Sequence, residues 1–286
     1  MLPAPIRRFR APLACAIVAL AVLRGPALRG QSADEATVSG LEVRSAAYNP
    51  AANAVVVELA NDTANAVTAY GLDIAVTMGG KTIAHTGYGA DLLNLILNAR
   101  GKKGAADSWE GAIRPGDVHT DTIPANVPAE TEITGPVEVH VTVVAAFWSD
   151  GAIEGTNKFM IRQMQDGRQA TLKAEERVLT ILDAHGGETG VEGRIGAVLN
   201  DLTVLMKQPL ESAAEHAAES LVTSPEPGAE NFAREMLNTQ VLSDAVSNLT
   251  KIREAKDAPA QFQAFVADFT AQHQRRVALL QSMSQA

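Results

Sequence analysis

VEVHVTVVAAFWSDGAIEGTNKFMIRQM, residues 137–164, holds the change of period on which the fold turns. Val137, Val139, Val141, Val143, Ala145 and Phe147 alternate with Glu138, His140, Thr142, Val144, Ala146 and Trp148. A period of two marks a strand with one face on a core. At about 3.3 Å per residue the run spans roughly 40 Å, which makes it a central or bent strand. Asp150-Gly151 then stands between apolar alternations, the signature of a hairpin turn, with Ala152 and Ile153 starting a short return. Simple alternation sends Phe147 to the core and Trp148 to the outer face, where it meets a C-terminal helix. Thr156 or Asn157 caps a long helix, because from Lys158 onward the apolar residues recur at 3.6.

Upstream of this joint the chain reads as strands. Val55, Val57 and Leu59 alternate up to the turn Asn61-Asp62-Thr63, and Leu72, Ile74, Val76 and Met78 alternate up to Gly79-Gly80. Asp117 to Ile123 follows the turn Arg114-Pro115-Gly116 and ends at Pro124. Ala90 to Asn98 is leucine-rich and reads as a short helix in a strand connection, with Arg100 to Ala105 as an exposed loop. Downstream, helices are expected over Lys158–Ala184, Val191–Lys207, Leu210–Val222, Glu230–Lys256 and Pro259–Met283. His185-Gly186-Gly187 stops the first, and Asp257 with Pro259 starts the last. In that last helix Phe262, Val266, Phe269, Val277 and Leu280 share one face. The expected class is α+β: an N-terminal antiparallel β-sandwich over 36–156, then a C-terminal helical domain of four to five helices over 157–286.

The first 32 residues follow other rules. Arg7, Arg8 and Arg10 precede an apolar run from Ala11 to Leu23, and small residues follow, the order of a secretory signal peptide. Cleavage is expected after Ala27 or after Ser32, with retention as an anchor the alternative. Cys15 lies within the apolar run, so a chain cut there has no cysteine and neither disulfides nor thiol chemistry. The cut after Ser32 also removes five arginines and no acid, taking the formal net charge from −9 to −14. Such a surface repels nucleic acid and anionic lipid. The expected location is secreted or periplasmic, with no stable membrane span after cleavage.

The motifs of common chemistries are incomplete. No His-Glu-x-x-His run is present, and the residues three before His185, His216 and His273 are Leu182, Ala213 and Thr270, so neither a zincin helix nor a di-iron pair is spelled out. Ser149 has a glycine two positions on, but Phe147 fills the place where a nucleophile elbow needs a glycine. Gly87-Tyr88-Gly89 lacks the third glycine of a phosphate cradle, since Leu92 stands there. No cofactor and no metal site is expected. His273 reads as a satisfied, partly buried histidine.

The segments VVVELANDTANAVTAYGLDIAV (55–76) and IRPGDVHTDTIP (113–124) resemble the strand, Asn-containing turn and strand, and the following Pro-Gly turn, of FxLYD-related immunoglobulin-like modules of bacterial envelope proteins. The aromatic-x-Leu-Tyr-Asp signature itself is missing, and Ala90 to Ala106 is an insertion. The resemblance implies an immunoglobulin-like sandwich, placement outside the cytoplasm and contact with other macromolecules; it transfers no catalytic residue. The functional expectation is a non-enzymatic binding or scaffolding protein of the bacterial cell envelope whose partner is another envelope protein. Trp148 and Asp150 at the hairpin, with Tyr88 and Trp109, are its candidate binding surface. The alternative is an extracytoplasmic hydrolase whose acids and bases are spread over Asp117, His119, Asp121, His140 and Asp150. A third reading lays the Phe262 to Leu280 stripe on a partner rather than on the protein's own core.

Overall fold

Among the described residues seven strands make two antiparallel sheets, as the alternation of the N-terminal half requires. The computed structural model describes residues 38–103, 109–187, 190–207 and 227–284. The expected signal segment, the expected helix over Leu210–Val222 and His216 lie outside the described residues. One sheet has the order β1 (Leu41–Asn49), β2 (Ala54–Asn61), β5 (Val118–Pro124). The other has the order β4 (Lys81–Asp91), β3 (Val67–Met78), β6 (Val137–Trp148), β7 (Ile153–Glu154). Leu41, Val55, Val57 and Leu59 of the first sheet and Tyr70, Leu72, Ile74 and Val143 of the second bury one shared core. An α+β protein with its sheets in the N-terminal half results.

β4 is the strand that periodicity hides. Its outward positions include Gly87 and Gly89, which carry no pattern because α2 (Lys158–Ala184) lies on them through Met160 and Met164. Gly71 on β3 is required for the same close approach, since a Cβ there would run into the Met160 sulfur. The connection after β4 is α1 (Leu93–Lys103), longer than the expected helix and continuing through Arg100 instead of looping there. Leu92, Leu93, Ile96 and Leu97 carry it into the sheet core.

The alternation along β6 does not run through to its end. Val143 pairs with Leu72 and Ala145 with the adjacent Gly71, so Val144 is an extra residue, a β-bulge. Past the bulge the faces exchange. Phe147 joins Ala69, Val144, Met160 and Met164 under α2, on the outer side of the sheet. Trp148 turns inward, 3% exposed, into the core that also takes Leu279 and Met283 of the last helix. The expected assignment of Phe147 to the core and Trp148 to the outer face is therefore reversed, and the bulge is the reason. Packing of Trp148 with a C-terminal helix holds all the same.

Among the described residues four further helices follow the strands: α2, α3 (Val191–Lys207), α4 (Pro227–Arg253) and α5 (Ala258–Ser284). The Asn157 side chain caps α2 by accepting the Met160 N–H at 3.0 Å, as expected of a helix start. Val178, Leu182, Ile195, Leu202, Leu249 and Phe262 form a second core among the four. Phe262 is 1% exposed, and Val266 and Phe269 pack against the same cluster. The α5 stripe thus covers its own core, which removes the reading that lays it on a partner. The described residues form one compact unit, with α2 and α5 contributing to both the helical core and the sheet half.

Candidate functional site

The β6–β7 hairpin meets two helices around a cleft. Asp150 Oδ1 accepts the Ala152 N–H at 3.0 Å, the Gly151 N–H donates to the Trp148 carbonyl at 3.1 Å, and Gly151 sits at φ +87°. This is the Asp-Gly turn that the sequence announces. Asp150 Oδ2 also accepts from the Asn65 side chain at 2.5 Å, which ties the turn to the β2–β3 connection. A Cβ on Gly151 would collide with the Met283 carbonyl oxygen, so α5 seats directly on the turn.

The cleft has a volume of about 240 Å³. Ile153 and Gly151 of the hairpin form one wall, Gln165 and Gln169 of α2 a second, and Leu280 and Ser284 of α5 a third. Phe147 and Trp148 line its base. Trp148 Nε1 is buried with no hydrogen-bond partner among the described residues. Arg168, also in the wall, is committed elsewhere: its Nε donates to Asp91 Oδ2 at 2.8 Å, a second nitrogen donates to Thr68 Oγ1 at 3.2 Å, and the guanidinium lies 4.9 Å over the Phe147 ring. It holds α2 to the sheet rather than offering a charge to a ligand.

A second polar cluster closes the opposite side of the sheets. β5 and β4 are edge strands, and between them Tyr70 donates its hydroxyl hydrogen to Asp121 Oδ2 while His119 Nε2 lies 3.3 Å from Asp121 Oδ1. The Tyr88 ring is 6.4 Å from that of Tyr70, and the His119 ring packs edge-on to it at 6.1 Å. Burial would raise the Asp121 carboxyl, but hydrogen bonds from His119, Tyr70 and Tyr88 and the attraction of His119 outweigh it and hold the group below the ordinary carboxylate value. Burial, then the hydrogen bond to Asp121, raises the Tyr70 phenol far above its usual range; burial, then Asp121, pushes Tyr88 up to about 12. These phenols are donors to a carboxylate, not nucleophiles.

Of the five dispersed acids and histidines, only His119 and Asp121 meet. Asp117 accepts from Arg114 at 2.9 Å and Asp150 is held by Asn65. His140 faces Ala75 on the outer side of the second sheet, away from the core side that His119 and Asp121 share. Among the described residues no three His, Cys, Asp or Glu side chains form a metal site. His273 is 14% exposed and lies with Nδ1 3.1 Å from Glu175, as expected of a satisfied histidine. Trp148 lines the cleft and Asp150 shapes the turn beside it, whereas Tyr88 belongs to the Asp121 cluster and Trp109 packs at the rim of the sheet core. Gln165, Gln169 and Ser284 carry no signal in the sequence, and Leu280 is marked there only as part of the α5 stripe, because only the meeting of elements far apart in the chain makes them neighbours.

No known protein family, curated protein or solved structure matches the chain. What the molecule itself defines is an α+β protein with a hairpin–helix cleft at the joint of its two cores.

Proposed function

We propose that the protein is a non-enzymatic binding or scaffolding protein of the bacterial cell envelope, its two sheets forming an immunoglobulin-like module and its partner another envelope protein. The observation that carries this reading is the cleft. It gathers carboxamide, hydroxyl and apolar groups from three elements in one concave place, the usual composition of a recognition site. Of the acids and histidines that the hydrolase reading names, His119 and Asp121 meet, but Asp117, His140 and Asp150 stand apart from them. The arginine-led apolar segment at the start of the chain supports export.

The test is site-specific photo-crosslinking in the source bacterium, with the crosslinking residue at Gln165 or Ile153 and a control at Glu58. A discrete protein adduct at the cleft positions and none at the control supports the reading. Absence of adducts at both cleft positions overturns it. Export is checked separately by fractionation and by the N-terminus of the mature chain. A start just after Ala27 or Ser32 supports it, and an intact chain in the cytoplasm refutes it.

A further inference from the structure

We infer that the cleft takes an extended peptide segment of the partner, which adds to the sheet as a strand along β7. This rests on the binding reading above and names what is bound.

The argument starts from the backbone. In an antiparallel pair, hydrogen-bonded and non-hydrogen-bonded positions alternate. The Trp148 N–H donates to the Ala152 carbonyl at 2.9 Å, and the Thr156 N–H donates to the Val144 carbonyl at 3.1 Å. These two bonds fix the phase: Ala146 and Glu154, two residues from each, form the hydrogen-bonded pair, and Phe147 and Ile153 the other kind. The N–H and C=O of Ile153 therefore point away from β6, out of the sheet. β7 is the last strand of its sheet, and among the described residues no hydrogen bond reaches either group. Ile153 is 40% exposed and lines the cleft. An edge strand that offers an outward donor and acceptor is a template for one more strand.

The walls fit the same occupant. Gln165 and Gln169, one helical turn apart on α2, present carboxamides that can donate to and accept from a peptide backbone. Leu280 and the Ile153 side chain offer apolar contact for alternate side chains. Arg168 is already neutralised by Asp91 at 2.8 Å, so the wall provides no free cation for a phosphate or carboxylate ligand. Gly151 leaves the hairpin low and lets α5 approach, which sets the width of the cleft.

The test uses the full chain and a library of short capped peptides of alternating β-branched and polar residues. Bound peptide is expected to protect the Ile153 amide from hydrogen exchange, and Ile153→Pro to weaken binding about tenfold, the worth of one lost buried hydrogen bond. Ile153→Pro removes a donor that no internal bond uses, as edge strands tolerate. Should that variant misfold, Gln165→Ala with Gln169→Ala provides the same reading, with Ile153→Val as the control that retains binding. Peptide binding that ignores these substitutions, or an Ile153 amide that exchanges freely in every complex, overturns the inference. Crosslinks at Gln165 without any peptide binding overturn it while leaving the binding reading intact; absence of both removes the two together.

Discussion

Replacing Gly151 with alanine makes two demands on one residue. The backbone stands at φ +87°, where a Cβ is strained, and the new methyl meets the Met283 carbonyl. The expected cost is about 1–3 kcal/mol, read by denaturant unfolding, with α5 displaced from the turn. Trp148 presents the opposite case. Its indole nitrogen is buried with no partner among the described residues, so Trp148→Phe gives up no hydrogen bond to them. We expect it to cost less than about 1.5 kcal/mol, whereas Trp148→Ala costs about 3–5 kcal/mol by leaving a cavity in the sheet core. A loss in Trp148→Phe as large as that in Trp148→Ala would overturn this expectation.

At the scale of elements, the attachment of α2 to α5 is polar at its centre. Glu175 and Arg276, both 5% exposed as side chains, pair at 3.0 Å, and Arg276 also donates to Asn94 of α1 at 2.9 Å. Removing one partner strands a buried charge. Glu175→Leu alone is expected to cost about 3–5 kcal/mol, and the double change with Arg276→Met much less than the sum of the singles. A double-mutant cycle on unfolding free energies decides this, and simple additivity would refute it.

The element scale also shows what the sequence makes legible. Strands β2, β3, β5 and β6 and helices α2, α3 and α5 stand out by period, and Asp150-Gly151 and Asn157 mark the turn and the cap. β4 escapes because its outward glycines record the presence of α2, not a strand preference. The exchange of Phe147 and Trp148 escapes because a bulge is a relation between two strands: nothing at Val144 itself distinguishes it from its neighbours. Of the candidate site, the hairpin is legible and the helical walls are not, since they depend on contacts far apart in the chain.

At the scale of the whole molecule, the edge cluster gives stability a pH dependence with two limbs. Asp121 has a lowered pKa in the folded chain, so its contribution is present above its unfolded value, near pH 4, and lost as pH falls through the folded one. Asp121→Asn should therefore reduce stability at neutral pH and flatten the acid limb of a plot of unfolding free energy against pH. Tyr70 and Tyr88 are raised, so their contribution is full below about pH 10 and lost above it as the pH climbs. Tyr88→Phe should blunt that alkaline limb up to about pH 12. An unchanged profile in either variant would place the titration elsewhere.

Met283 and Leu279 fill the same core as Trp148, Val55 and Leu72. In time this has a consequence of its own. A ribosome releases the strands long before it makes α5, so the sheets must wait, with the end of their core open to water, for Leu279 and Met283 to arrive. Completion of the sheet core thus waits on the synthesis of α5. A nascent chain halted before Leu279 should be cut by protease at the β6–β7 hairpin that the finished protein shields.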